Sequence, residues 1–168
     1  MGRSNQRDRL LDAAMQLLHA QGFNASGVQD ITTDAGVAKG SFYNHFESKE
    51  ALGAAVLEQY FRARTCERMA VLRDASLPPL ARLRRYFEGL AAILGRNGYA
   101  SGCMIGNMAA ELADHSPLIR DQLAAHFAEW SEVIEGVVAE AQAAGTLRTD
   151  LPASTVASFL LNAWEGAV

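Results

Sequence analysis

Gly36 stands between two short segments whose apolar residues recur at helical spacing, and this break constrains the fold more than any other feature of the sequence. Two short helices that meet through a glycine-containing turn of about three or four residues cross at a steep angle. Ile31 and Ala35 before the glycine, and Val37 and Phe42 after it, occupy the positions where apolar side chains lock such a pair together. The sequence therefore predicts a helix-turn-helix near the start of the chain.

The second helix of this pair, predicted over Lys39 to Phe46, has a polar face that a core does not need. Lys39 and Gly40 stand at its entry, where a helix N-terminus favours phosphate and the glycine permits close approach to a backbone. In a helix-turn-helix, the N-terminal residues of the second helix meet base edges in the major groove of DNA. The segment thus fits a DNA-reading surface, although glycine-broken helix pairs also occur in helical proteins that bind no DNA.

Helical periodicity continues through the rest of the chain, and no segment shows the period-two alternation of a strand. Ser48 fits the N-cap of a long fourth helix, which runs to about Leu72 before a pair of prolines breaks the pattern. The predicted fold class is all-α. An N-terminal three-helix helix-turn-helix domain is expected over residues 1–50, and a helical ligand-binding and dimerisation domain over residues 51–168.

The last predicted helix carries an apolar stripe that includes Phe159 and Trp164, and the sequence stops at Val168 without a glycine or a charged last turn. An uncovered apolar stripe favours a partner surface. We expect the sequence to be part of a longer chain whose remainder completes this surface.

The net charge of −4 is a poor guide to partners until it is divided along the chain. Residues 1–68 carry eight basic and eight acidic residues, whereas residues 69–168 carry seven and eleven. Because DNA contacts depend on where cations cluster, the acidic second part does not exclude a DNA reader. No apolar run approaches the ~20 residues of a transmembrane helix, and the start lacks a signal-peptide pattern, so a cytoplasmic protein without membrane contacts is expected.

Residues 7–52 resemble the N-terminal domain of the tetracycline-repressor (TetR) family of bacterial transcription regulators. The matching segments are "RLLDAAMQLLHAQGF", "VQDITTDAGVAKGSFYNHF" and "SKEAL". The sequence departs from the family pattern at Thr32, usually an alanine, and at Gly27, which replaces a hydroxyl cap that Ser26 would supply instead. The order of the later helices is also similar to the family's ligand-binding domain, so the resemblance covers nearly the whole chain.

The resemblance implies a homodimeric, ligand-responsive repressor without a cofactor, whose two helix-turn-helix domains read a pseudo-palindromic operator in double-stranded DNA. A small molecule or an electrophile acting on the C-terminal domain would release it from the operator.

Carried over position by position, the family pattern assigns contacts to bases or to the adjacent backbone to six residues: Gln29, Thr33, Lys39, Gly40, Ser41 and Asn44. It assigns phosphate contacts to Tyr43, His45 and Lys49, and a basic arm to Arg3 and Arg7. A hydrogen-bonded, half-buried position is the alternative for His45.

The candidate effector residues share an apolar or polarisable character and lie on the predicted fifth to seventh helices. They are Tyr86, Leu90, Ile93, Leu94, Cys103, Met104, Asn107, Met108, Phe127 and Trp130. Any one of them also fits an ordinary core position.

Cys103 stands out because "SGCMIGNMAAELAD" resembles the corresponding segment of TetR-type regulators that respond to reactive electrophiles or acrylate-like compounds. Cys103 is predicted in the first turn of the sixth helix, where the helix dipole favours a thiolate, so it is a candidate sensor. A small buried thiol is the alternative. Cys66 and Cys103 can form at most one disulfide, and a cytosolic setting favours reduced thiols.

Catalytic and metal-binding functions find no support in the sequence. No serine stands in a nucleophile elbow, and no glycine-rich loop follows a strand. His115 and His126 would lie ~16 Å apart on one helix, too far to share an ion, and the i,i+4 pair Glu111 and His115 fits a helix-end cap. Neither an enzyme nor a metal site is predicted. The alternative function is a helical interaction module that has lost DNA binding.

Overall fold

The structure is a computed structural model that describes residues 2–168, with side chains from residue 6 onward. The predicted all-α class is confirmed, because the described residues form helices joined by loops and turns, without a strand. Arg3, predicted as part of a basic arm, has its side chain outside the described residues. The α-helices are α1 Gly2–Gln21, α2 Val28–Asp34, α3 Lys39–Phe42, α4 Lys49–Tyr60, α5 Cys66–Met69, α6 Pro79–Arg96, α7 Met104–Leu112, α8 Pro117–Ala143 and α9 Ala153–Glu165.

The chain divides into two compact units, each built from two stretches of sequence. The first unit comprises Met1–Arg62 and Met104–Leu123, and the second comprises Ala63–Cys103 and Ala124–Val168. Helix α7 and the first turns of α8 therefore belong with the N-terminal helices. The domain boundary placed at residue 50 by sequence stays a prediction.

The core of the first unit forms where α1 packs on α2 and α4. Leu10 and Leu18 of α1 are buried there, and Phe23, in the loop after α1, turns back into the same core. A Cβ at Gly53 of α4 would come within 2.8 Å of the Phe23 ring, so glycine is what permits this close approach. Burial of such a phenylalanine stabilises the fold by ~1.5–3 kcal/mol.

The helical rod that begins with α4 differs from the predicted regular helix ending near Leu72. Residues Phe61–Thr65 form a π-helical segment, α5 follows, and a 3-10 turn at Ala70–Arg73 ends the rod. A π segment admits one extra residue into a turn and so rotates the faces that follow it. Apolar residues on both sides of this segment, such as Leu57 and Met69, are buried, which explains why the segment looks like ordinary amphipathic helix in sequence.

The second unit contains a buried arginine within its helical packing. Arg82 of α6 is almost fully buried, donates to the Leu72 carbonyl oxygen over 2.9 Å and pairs with Glu140 of α8. Helix α6 ends at Arg96, and an Asn97-Gly98 turn follows it. Phe159 of α9, by contrast, exposes 69 % of its surface, so part of the last apolar stripe stays on the outside of this unit.

Three features are not found in the described part of the chain. None of its helices combines the length and hydropathy that crossing a bilayer requires. No group of three or more His, Cys, Asp and Glu side chains among these residues is arranged to hold a metal ion. Neither Cys66 nor Cys103 forms a disulfide.

Candidate functional site

The turn between α2 and α3 is held by backbone hydrogen bonds and by one arginine. The Val37 amide donates to the Thr32 carbonyl oxygen over 2.9 Å, and Gly36 adopts a left-handed backbone with φ +60°. Arg9 of α1 donates from Nη2 to the Gly36 carbonyl oxygen over 2.9 Å. The sharp bend predicted at Gly36 is confirmed, and α1 braces it.

Helix α3 is shorter than predicted, because it ends at Phe42 rather than at Phe46. The chain continues in hydrogen-bonded turns, in which the His45 and Phe46 amides donate to the Phe42 carbonyl oxygen over 2.9 and 3.0 Å. Phe42, Phe46 and Ile31 are buried, and the two phenylalanine ring centroids lie 5.8 Å apart. The apolar lock predicted from residue spacing is confirmed.

The other face of this short helix and the turn after it is open to solvent. Lys39, Gly40 and Asn44 are exposed, Tyr43 exposes 59 % of its surface, and Ser41 is half-buried. No heavy atom lies within 4 Å of the position that a Cβ at Gly40 would take. The segment therefore presents short polar groups around an open glycine, a shape into which another molecule's backbone can fit.

Gln29 and Thr33 lie one turn apart on α2, and both are exposed. Gln29 donates from Nε2 to the Thr33 hydroxyl over 3.3 Å, and that hydroxyl donates to the Gln29 carbonyl oxygen over 2.8 Å. These bonds restrain two side chains that are assigned to DNA by resemblance. Their contact with bases stays a prediction.

His45 and Lys49, both assigned to phosphate, are half-buried and have partners within the chain. His45 Nε2 lies 3.5 Å from Gln6 Oε1, a position that fits the alternative of a hydrogen-bonded residue. Lys49 Nζ lies 4.1 Å from the centroid of the Phe23 ring, a cation–π contact. Burial lowers the pKa of the Lys49 ammonium, an effect that the negative charge of Glu111 opposes.

Arg7, predicted in a flexible basic arm, is part of α1 in the structure. Its guanidinium carbon lies 5.2 Å from the centroid of the Phe46 ring. The cation is thus fixed beside the end of the α3 segment.

The helix caps near the site follow the prediction in one case and differ in the other. Ser48 caps α4, and its hydroxyl accepts the amide of Ala51 over 3.0 Å. The expectation that Ser26 caps α2 is wrong, because Gly27 is the N-cap. The Ser26 hydroxyl instead donates to the Gly22 carbonyl oxygen over 2.7 Å, which holds it in the loop before α2.

Glu111 of α7 supports the loop between α1 and α2 in a way that sequence reasoning missed. Its carboxylate accepts the Phe23 amide over 3.0 Å and the Asn24 amide over 2.8 Å. These amides belong to the loop that joins α1 to α2. Because the partners lie 88 and 87 positions away, no local pattern around Glu111 points to them.

The residues assigned to an effector divide between the two compact units. In the first unit, Met104 and Met108 are buried, whereas Asn107 is exposed. The others belong to the second unit: Tyr86, Leu90, Ile93, Leu94, Cys103, Phe127 and Trp130.

Tyr86 and Trp130 bring unpartnered polar atoms into the second unit. Each residue is only 2 % exposed, and neither the Tyr86 hydroxyl nor the Trp130 indole nitrogen has a hydrogen-bond partner of ordinary geometry among the described residues. Burial raises the pKa of the Tyr86 phenol, and the nearby Trp130 N–H and Arg68 guanidinium oppose this shift. The Phe127 ring stacks parallel to the Trp130 ring, with centroids 6.5 Å apart. These buried, unsatisfied groups mark a place where a polar ligand atom would find donors.

Cys103 stands immediately before α7, because this helix begins at Met104. The prediction that Cys103 lies in the first turn of the helix is therefore wrong by one residue. The cysteine is half-buried and lies beside the Glu165 carboxyl at the end of α9. Burial raises the pKa of Glu165, and the interaction with the Cys103 thiol opposes that rise.

A groove of about 340 Å³ lies in the second unit, between the rod that follows α4 and helix α6. Three of the predicted effector residues line it, namely Tyr86, Leu90 and Ile93. Its lining is Arg68, Val71, Arg85, Tyr86, Gly89, Leu90, Ala92, Ile93 and Arg96.

Comparison with known proteins matches both the N-terminal and the C-terminal part of the chain to tetracycline-repressor families. Residues 10–56 match the family described as bacterial regulatory proteins, tetR family, and residues 79–168 match the tetracyclin repressor-like C-terminal domain. The HTH-type transcriptional repressor DhaR of Mycobacterium sp. (strain GP1) is 39 % identical over 168 residues, which is 100 % of this chain and 83 % of DhaR. The transcriptional regulator AcuR of Cereibacter sphaeroides is 33 % identical over 95 % of this chain and 73 % of its own length.

Solved structures show the same fold. A regulatory TetR protein from Rhodobacter sphaeroides has a TM-score of 0.87 and 32 % identity, over 95 % of this chain and 85 % of its own. The reduced form of Escherichia coli NemR has a TM-score of 0.86 and 26 % identity, over 96 % of this chain and 84 % of its own. The helix-turn-helix over α2 and α3 and the helical C-terminal half thus identify this chain as a member of the tetR family of bacterial regulatory proteins, which are DNA-binding transcriptional regulators.

Proposed function

We propose that this chain acts as a homodimeric repressor that reads a pseudo-palindromic operator and leaves it when a small molecule acts on the helices after α4. One observation carries the DNA-binding part. Helix α3 begins at Lys39, is held from below by the buried Phe42, and turns an open polar face to solvent. A short helix presented in this way enters a major groove with its N-terminal residues against the base edges.

The exposed residues differ in how readily they would reach DNA. Lys39, Gly40 and Asn44 need no rearrangement, and the Tyr43 hydroxyl can donate to a phosphate oxygen from its exposed position. Lys49 would first have to leave the Phe23 ring. We therefore rank the α3 face above Lys49 and His45 as the source of affinity.

A mobility-shift titration with the DNA that flanks its own gene tests the DNA-binding part. The full chain should shift this DNA, and Lys39→Ala should weaken binding and reduce the slope of log K against log salt by ~0.9 if the ammonium sits on a phosphate. Arg120→Ala is the matched control, because Arg120 is an exposed cation on α8 outside the proposed interface. Absence of any shift at low salt would contradict the proposal and favour an interaction module that has lost DNA binding.

The proposal assigns the partner copy to α9. Phe159 exposes 69 % of its surface, and Leu160 and Trp164 of the same helix are half-buried, which leaves an apolar face for an isologous contact. Phe159→Asp should shift the protein from dimer to monomer in sedimentation and weaken operator binding. A variant that stays dimeric would show that the second copy lies elsewhere.

The effector part of the proposal rests on Cys103, whose half-buried thiol lies beside Glu165. An α,β-unsaturated carbonyl compound would react by addition: the sulfur bonds to the β-carbon, the double bond is consumed, and the thiol proton ends on the α-carbon. No oxidant is needed. The alternative is a thiol that only fills space or lines a pocket for a ligand that binds without reaction.

DNA release by N-ethylmaleimide, an α,β-unsaturated carbonyl probe, is measured for the wild-type chain and for Cys103→Ser. The comparison decides between these possibilities. Loss of release in Cys103→Ser, with Cys66→Ser unchanged, would support the sensor. A Cys103→Ser protein that is released normally would remove it.

A further inference from the structure

The groove beside α6 is lined by three arginines. Arg68, Arg85 and Arg96 form no ion pair or hydrogen bond with another side chain among the described residues, although Asp74 lies near enough to Arg85 to be stabilised by it. Residues 69–168 are acidic overall, with seven basic and eleven acidic residues, so carboxylates are not scarce in this part of the chain.

The other arginines of α6 show what a structural arginine looks like here. Arg82 pairs with Glu140, and Arg84 pairs with Glu88 over 3.3 Å. Arg85 and Arg96 lie on the same helix and line the groove, and neither forms an ion pair within the described residues. At 100° per residue, Arg82 lies on the same side of α6 as Arg85 and Arg96, at the start of the helix, whereas Arg84 lies on the opposite side. The groove arginines are therefore distinguished from Arg82 by the lack of an ion-paired carboxylate and not by helix face.

The inner wall of the groove supplies a polar group and an apolar track. Tyr86 is 2 % exposed with an unpartnered hydroxyl, and the Arg68 guanidinium lies close enough to it to oppose the rise in its pKa. Val71, Leu90 and Ile93 line the rest with aliphatic surface. Tyr86 and Ile93 are seven residues apart on a helix, so this track extends for ~10 Å.

We propose that this groove binds a small organic anion, with its carboxylate held by Arg68 beside Tyr86 and its apolar part lying along Leu90 and Ile93. Arg85 and Arg96, at the two ends of the α6 wall, attract the anion and hold it by longer-range charge. A volume of about 340 Å³ suits a small ligand. This inference deepens the proposed response to a small molecule and rests on it for its biological meaning, but the binding site is defined independently of DNA.

The test is a calorimetric titration of the full chain, without DNA, with hexanoate and with the neutral, equally sized hexanamide. Hexanoate should bind, and hexanamide should bind at least about tenfold more weakly because it lacks the charge that the arginines pair with. Arg68→Gln should weaken hexanoate binding by about tenfold, and Arg68→Lys should restore part of it. Arg84→Gln is the matched control and should change nothing, because Arg84 lies outside the groove.

Arg85→Gln and Arg96→Gln keep the test decisive if Arg68→Gln folds poorly, because both side chains are exposed. Each should weaken hexanoate binding several-fold. Equal affinity for hexanoate and hexanamide, hexanoate binding that none of the three substitutions changes, or no binding at millimolar hexanoate would overturn the inference.

The operator titration is run separately, so the two proposals fail in different ways. Arginine-dependent hexanoate binding supports the groove whether or not DNA is released. If DNA is bound but hexanoate does not release it, only the link between this groove and the effector response is lost.

Discussion

A single backbone angle decides how α3 leaves α2. At Gly36 the φ of +60° turns the chain sharply, and Arg9 then secures the Gly36 carbonyl oxygen. Residues that carry a Cβ are sterically strained in this left-handed region, whereas glycine is not. The residue that first suggests a turn in the sequence is thus also the one on which the direction of the reading helix depends.

Gly36→Ala should lower the free energy of unfolding by about 1–2 kcal/mol, because the new side chain is strained in the left-handed region. Its Cβ would also come within 2.5 Å of Arg9 Nη2, so the arginine would have to move and lose its bond to the carbonyl oxygen. Urea unfolding measures the loss, and operator binding should weaken with it.

Gly40→Ala is the matched control for this substitution. It places a methyl group in open space on α3, so stability should stay the same or rise by up to ~1 kcal/mol. Operator binding should nevertheless weaken, because the methyl group occupies the proposed path of the DNA backbone. Equal stability of Gly36→Ala and wild type would contradict the role given to the turn.

Glu165 offers a prediction for pH. Burial raises the pKa of the Glu165 carboxyl in the folded chain. At a pH between the unfolded and folded pKa values, Glu165 is therefore protonated in the folded protein and ionised in the unfolded chain. Its stabilising contribution is therefore present below the unfolded pKa of ~4.3 and is lost as the pH rises through the folded value. Glu165→Gln, which cannot ionise, should be more stable than wild type at neutral pH, and the difference should shrink in acid. If the stability advantage of Glu165→Gln over wild type grows toward low pH in urea unfolding, the raised pKa of Glu165 is contradicted.

At the scale of the helices, the sequence predicts existence well and boundaries less well. Helices α6 and α8 are found as expected because Pro79 and Pro117 open them and their apolar periods are long. The π segment over Phe61–Thr65 is invisible in advance, since an inserted residue leaves local composition unchanged. The cap expected from Ser26 is not formed, because its hydroxyl donates instead to a carbonyl oxygen in the preceding loop.

In the candidate site, too, the features that depend on local spacing were predictable and those that depend on distant residues were not. The buried and exposed faces around α3 follow from spacing alone, with Phe42 inside and Lys39 outside. The brace by Glu111, the stacking of Lys49 on Phe23 and the arginine-lined groove all depend on residues far apart in sequence. Tertiary packing, which no local pattern encodes, decides these features.

Ser48→Ala tests the one cap near the site that sequence identified. The hydroxyl of Ser48 accepts the Ala51 amide in the first turn of α4, and its loss should lower the free energy of unfolding by about 1 kcal/mol. Ser48→Asp should retain most of the stability, because a carboxylate also caps this position and favours the helix dipole. Thermal and urea unfolding of the three proteins give the comparison, and an alanine variant as stable as wild type would exclude a capping role.

At the scale of the whole molecule, the proposed dimer makes a prediction about operator geometry. Two recognition helices related by a two-fold axis read half-sites about one helical turn, or ~34–36 Å, apart. Insertion of five base pairs between half-sites turns the second one to the opposite face of the duplex, so affinity should fall by at least about tenfold. Footprinting and mobility shift on both operators measure this, and unchanged affinity would mean that each copy binds alone.

The carboxylate of Glu111 has a practical consequence for anyone who wishes to recombine this regulator. It holds the loop after α1, while Gln122 donates to the Ala54 carbonyl oxygen over 3.0 Å, so the first compact unit is closed by two helices encoded after residue 103. A chimera joined at the end of α4 would sever those ties and graft an incomplete reader. A working transplant has to carry two separate pieces of the gene.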